Sequence, residues 1–183
     1  LRENGVTSSL LTCSCQQFAW SPNGQMILYR EGNNFSIYHL KDGSKYTIQA
    51  EQRSVPYWSP DSRFLILDGP HILQLVEAEK SQAKVILSDG QKFEEAGLET
   101  LAAPNALLQP ASNSIWGSNS RQFLFVTQQR LIWQEKSIQG GRGLYTAMLR
   151  EDGRVQGEPV LVSKGDVTQA GWTYQNPDTS FLY

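Results

Sequence analysis

The chain has 183 residues, 39% of them hydrophobic, the size and apolar content of a single domain able to bury a core. Its 16 lysines and arginines against 18 aspartates and glutamates give a net charge of -2 with no basic block, so no nucleic-acid partner is expected. The apolar runs fall far short of a membrane span, and residues 1–12 lack the charged start and apolar centre of an export signal, so a soluble chain without a membrane span is expected.

In chain order, Leu1-Arg2-Glu3-Asn4-Gly5 leads into a strand over 6–12 through an Asn-Gly hairpin turn. Cys13 and Cys15 stand two apart, on one face if the backbone is extended. A bridge between them or a lone metal-ligand pair stays open, and two small buried or half-buried thiols are the expectation. Strands are predicted over 15–20, 26–30, 35–40 and 45–49, then over 55–58, 64–67, 71–76 and 83–87, with Pro, Asn, Asp and Gly in the turns between them. Residues 89–112 interrupt the pattern. There Phe93, Ala96, Gly97, Leu98, Leu101 and Ala102 have rough helical spacing broken by Pro104 and Pro110, which reads as one short helix in a long loop. Strand character returns over 114–116, then over 122–127 continuing through 131–133. Residues 134–143 read as a flexible connection before strands over 144–149, 159–163, 170–174 and 180–183.

One ten-residue stretch organises this series. Trp58-Ser59-Pro60-Asp61-Ser62-Arg63-Phe64-Leu65-Ile66-Leu67 writes a strand end, a tight turn and a returning strand. Trp20-Ser21-Pro22-Asn23-Gly24 repeats it upstream, Trp116-Gly117-Ser118-Asn119-Ser120 downstream, and Trp172 begins a fourth copy. Trp20 and Trp58 are 38 residues apart, and the later intervals shrink to a similar size once the insertions are set aside. A period of about 40 with four strands per unit describes β-propeller blades. The expected fold is therefore all-β, a propeller of four-stranded antiparallel blades. It has about three complete blades, partial flanking strands, and a short helix in the inter-blade insertion. Each tryptophan is expected to fill the space between neighbouring blades. One domain over 1–183 is expected, with ring closure left to further chain segments or to a partner chain.

The Trp-Ser-Pro-Asn-Gly and Trp-Ser-Pro-Asp-Ser turns, each followed by a hydrophobic strand, resemble the WD40-like repeats of TolB-type β-propellers. That resemblance covers most of the chain. It implies a protein-binding module with an extracytoplasmic location, and it extends to propellers that precede the hydrolase domain in prolyl oligopeptidase-like peptidases.

Within a four-stranded blade, the connection to the next blade and the loop between the second and third strands open on one face. Both insertions occupy such positions, so a binding face is expected there. Its candidate contacts are Lys92, Phe93, Glu94, Glu95, Leu98, Arg130, Trp133, Lys136 and Arg142, mixed charge around aromatic anchors. Phe93 and Trp133 could equally pin the loops down. No catalytic, cofactor or metal site is predicted. His39 and His71 lack a nucleophile's context, no Gly-x-Ser-x-Gly elbow occurs, and Gly140-Gly141-Arg142-Gly143 lacks the order of a dinucleotide loop. Glu94, Glu95 and Asp166 read as solvated carboxylates. The leading expectation is a non-catalytic scaffold for a protein partner. A peptidase's substrate-gating propeller and a small-ligand or glycan-binding propeller are the alternatives.

Overall fold

The structure is a computed structural model, described for residues 2–3, 6–7, 9–69, 72–80, 82–88, 115–127, 131–133, 136–138, 143–165, 167, 171–172 and 181–182. The described residues are all-β, and none forms a helix long and apolar enough to cross a membrane. The helix expected within 89–112 falls outside them.

The first blade is a four-stranded antiparallel sheet of β3 (Gln16–Trp20), β4 (Met26–Glu31), β5 (Asn34–His39) and β6 (Lys45–Gln49) in chain order. The second repeats this with β7 (Val55–Trp58), β8 (Phe64–Asp68), β9 (Ile72–Glu77) and β10 (Gln82–Ser88). The third has β11 (Gln122–Thr127), β14 (Gly143–Leu149) and β15 (Val155–Lys164), and its innermost strand is reduced to a bridge between Trp116 and Phe123. These are β-propeller blades. Before them, β1 (Arg2–Glu3) pairs with β2 (Val6–Thr7), and after them β16 (Gly171–Trp172) pairs with β17 (Phe181–Leu182), each pair as its own two-stranded sheet.

Two further strands correct the reading of the third unit. Instead of extending the strand over 122–127, β12 (Leu131–Trp133) turns back on β13 (Lys136–Ile138), and β12 pairs with β10 of the second blade. The second sheet thus has six strands, in the order β13-β12-β10-β9-β8-β7. The physical reason is that the outer edge of β10 offers unpaired backbone groups, and a short hairpin satisfies them.

Period-2 alternation builds the core. In β8, Phe64 and Ile66 face the third blade, while Leu65 and Leu67 face the first, so the strand is buried on both faces. Between the first two blades Met26, Leu28, Phe35, Ile37 and Ile48 meet Leu65, Leu67 and Val76. Between the second and third, Phe64, Ile66, Leu73 and Leu75 meet Phe123, Phe125, Leu144 and Leu149. Each such side chain contributes about 1.5–3 kcal/mol by leaving water.

The tryptophans divide by what stands next to them. Trp116, 1% exposed, stacks on Phe64 and donates from Nε1 to the Tyr57 carbonyl at 3.0 Å, joining the third blade to the second. Trp58 is half-buried against the first interface. Trp20 is 55% exposed, because no described strand covers the outer face of the first blade.

The repeated turn explains its own sequence. The hydroxyl of Ser59 donates to Asp61 Oδ1 at 2.6 Å and accepts from the Phe64 amide at 2.9 Å, while Asp61 Oδ1 also accepts from the Arg63 amide at 3.1 Å. Ser21 and Asn23 reproduce these bonds in the first blade. The residue after Asn or Asp takes a left-handed backbone: Gly24 at φ 68°, Ser62 at 65° and Ser120 at 58°. Serine in that conformation is strained. Its compensation is a bond between blades, since Ser62 Oγ accepts from the Asn23 amide at 3.0 Å and Ser120 Oγ from the Asp61 amide at 2.9 Å. The same clasp therefore joins blade one to two and blade two to three.

The expectation of two free thiols is also corrected. Cys13 and Cys15 form a disulfide with Cα atoms 5.1 Å apart, within the reach of such a bond. They precede β3 in irregular backbone, so the alternation of a strand does not govern them.

Candidate functional site

Antiparallel order sends the turns after β3, β7 and the Trp116 bridge to one end of the blades, with the Asp42-Gly43 and Asp152-Gly153 hairpins. At the other end lie the starts of β3 and β7, the β4–β5 and β8–β9 turns, and the inter-blade connections. Both insertions leave from this second end. The pairs Leu87↔Trp133 and Ser88↔Ile132 set the β12–β13 hairpin beside the end of β10, where residues 89–114 begin.

Of the predicted contacts, Trp133 closes β12 and Lys136 opens β13, and the two are cross-strand partners. Lys92, Phe93, Glu94, Glu95, Leu98, Arg130 and Arg142 lie outside the described residues, as do His71 and Asp166. His39 is the last residue of β5, and its ring meets Tyr46 edge-on at 5.5 Å.

On the same end, a cleft of about 520 Å³ opens between the first two blades, lined in part by Gln16, Gln17, Arg30, Asn33, Gln52 and Arg53. Arg30 follows Met26 and Leu28 on the buried face of β4, and is itself only 8% exposed. Its Nε donates to the Gly32 carbonyl at 3.0 Å and Nη1 to the Ser54 carbonyl at 3.4 Å, and the guanidinium carbon lies 5.2 Å from the Phe35 ring centre. Burial pushes this guanidinium below its ordinary range. Gln17, at φ 58°, is the extra residue where the β3–β4 register shifts, and Arg53 turns the connection to the second blade at φ 68°. Sequence reasoning passed over these residues. Arg30 had a signal, a charge in phase with two core residues, whereas the backbone strain at Gln17 and Arg53 leaves none.

Behind the cleft lies a buried acidic pair. Glu51 Oε2 accepts from the Ile72 amide at 3.0 Å, and Glu51 and Asp68 are 2% and 5% exposed. Burial first, and the Glu51 charge second, push Asp68 well above the usual carboxylate range. Burial and the Asp68 charge push Tyr57 up to about 12. Gly69 makes this packing possible, because a side chain there would collide with the Glu51 carboxylate and lie 2.9 Å from Ser54 Oγ.

A second cleft, of about 480 Å³, opens at the other end between blades two and three. Its charges are paired: Lys80 with Glu77 at 2.8 Å and Arg154 with Asp152 at 3.7 Å.

Blades of this form define a β-propeller, and the chain has a distant likeness to solved structures of low identity. The chain is similar to the β-propeller domain of the Trilobed protease from Pyrococcus furiosus, described as having an open velcro topology. The match has a TM-score of 0.44 and 15% identity, over 81% of this chain and 42% of that one. It is also similar to the acylaminoacyl peptidase of Pyrococcus horikoshii, with a TM-score of 0.37 and 16% identity, over 80% of this chain and 24% of that one. The chain thus spans less than half the length of either. No protein-family model matches the chain, and neither does any curated protein.

Proposed function

We propose that this propeller is a non-catalytic interaction module that holds a protein partner on the face bearing its two insertions. The observation that supports this is the pairing of β12 with β10, which draws a segment of the third blade onto the second beside the start of the other insertion. Binding residues concentrate on long loops carried by a rigid scaffold. In this reading Phe93, Leu98 and Trp133 anchor the contact, and Lys92, Glu94, Glu95, Arg130, Lys136 and Arg142 form its polar rim.

The test is a quantitative pull-down with two variants. One has residues 91–112 replaced by a short Gly-Ser linker, and the other carries Trp133→Ala and Arg142→Ala. The reading expects partner recovery to fall in both, with the unfolding midpoint held. Equal recovery by wild type and both variants sinks it.

A second reading makes the module the propeller domain that gates substrate access to a peptidase's catalytic domain. It follows from the resemblance of the Trp-Ser-Pro-Asp turns, and the protease and peptidase named above belong with it. A Gly-x-Ser-x-Gly elbow downstream in the full-length gene would favour this reading over the scaffold. A small-ligand or glycan site at the axis is the third, read out by a thermal-shift screen.

A further inference from the structure

The two clefts differ in charge balance. At the hairpin end each lining cation has a carboxylate partner. Among the described residues, the cleft between blades one and two is lined by two arginines and no carboxylate. Arg30 is the sharper anomaly, because a buried guanidinium normally has an anionic partner, and among the described residues this one has carbonyls and an aromatic ring. Those contacts fix the fork in place before any ligand arrives, as preorganised recognition requires. Two of the four non-glycine residues with left-handed backbone among the described residues, Gln17 and Arg53, line the same cleft. Gln17 is the bulge of β3 and Arg53 the corner of the connection closed by the Ser54 amide on the Glu51 carbonyl, and these two bends set both side chains on the cleft.

The remaining polar lining is the Ser54 hydroxyl and four amides. Gln16, Gln17, Asn33 and Gln52 each carry a donor and an acceptor. An oxyanion would use only the nitrogens of these exposed amides, whereas a peptide end offers partners to their nitrogens and oxygens alike. The volume exceeds what an oxyanion alone needs and falls in the range of small-ligand sites. We propose that this cleft binds the carboxylate end of a short peptide, with Arg30 and Arg53 on the carboxylate and the four amides on the peptide groups.

None of these residues belongs to either insertion, so the site stands or falls apart from the partner-binding reading. The test is titration of the 183-residue chain with N-acetyl-Ala-Ala as free acid, with its C-terminal amide, and with inorganic phosphate, followed by backbone NMR. The acid is expected to shift residues 16–17, 30–33 and 52–55 and to bind at least about tenfold more tightly than the amide or phosphate, as loss of a charge-assisted bond implies. Arg30→Gln is expected to abolish binding. Because that residue is buried and its substitution can unfold the chain, Arg53→Gln carries the test independently. Arg53 is exposed, and the variant is expected to keep its unfolding midpoint and lose about fivefold or more in affinity. Equal binding of acid and amide, equal binding of phosphate, no binding of the acid, or unchanged affinity in a folded Arg53→Gln each overturns the proposal.

Discussion

The clasp between blades can be taken apart at Ser62. Its Oγ accepts from the Asn23 amide at 3.0 Å while its backbone sits at φ 65°. Ser62→Ala removes the bond and keeps the strain, so it is expected to cost the net value of one hydrogen bond, about 1 kcal/mol, at the low end because Asn23 is exposed and can reach water. Ser62→Gly loses the same bond but relieves about 1 kcal/mol of left-handed strain, so it should lie close to wild type. Gly24→Ser at the same place in the first blade supplies a third arm. Nothing lies within 4 Å of the new side chain at φ 68°, so it adds strain without an inter-blade bond and should cost about 1 kcal/mol. In a chain of this length such a difference is about 2–4 °C in Tm, readable by urea titration and by thermal unfolding. If Ser62→Gly is as destabilised as Ser62→Ala, strain is not what the hydroxyl offsets. If Ser62→Ala is neutral, the clasp does not hold the blades.

Trp116→Phe is expected to lose about 2–3 kcal/mol, from the bond to the Tyr57 carbonyl and the space left between Phe64 and Phe123. Urea unfolding would show it, and a loss below about 0.5 kcal/mol would contradict the packing. Gly69→Ala should cost about 1–3 kcal/mol by forcing the Glu51 carboxylate and Ser54 aside, where an ordinary turn glycine with φ below zero would tolerate alanine. For Asp68 the folded chain holds its proton more tightly than the unfolded chain, so stability is greatest below about pH 4 on this account and falls as pH rises through the elevated folded value. Asp68→Asn removes that slope, and its stability relative to wild type should rise as pH increases above about 4 in urea titrations. A difference that does not change with pH would refute the assignment.

The blades were legible because their signals are local and repeated. β6 and β7 fall on their predicted limits, as does β11 except that it stops at Thr127. The turn residues also had readable jobs, with Ser and Asn or Asp each holding a specific amide. The pairing of β12 was not legible. An apolar run shows that a strand forms and says nothing of which sheet edge receives it, so Leu131, Ile132 and Trp133 were assigned to the wrong blade. The cleft was hidden for a related reason. Arg30 is in phase with Met26 and Leu28, but its meaning depends on the Ser54 carbonyl, which comes from a connection 24 residues away. The predicted contacts in the insertions came from an argument about loop placement, and most of them lie outside the described residues.

Both proposed binding sites lie at the end of the blades opposite the clasps. The clasps and the paired charges sit at the hairpin end, where identical bonds recur from one blade to the next. At the other end no bond between blades recurs among the described residues: Arg30 reaches the Ser54 carbonyl at the first interface, and the β12–β13 hairpin extends the outer edge of the second blade. A ligand in the first cleft would therefore touch strands of blade one and the connection into blade two at once, and its binding energy would add to the contact between them. Linkage then requires that a ligand at a hundred times its Kd raise the unfolding free energy by about 2.7 kcal/mol. A comparable rise in an Arg53→Gln variant under the same ligand would locate the binding elsewhere, because Arg53 lines the cleft from the connection side.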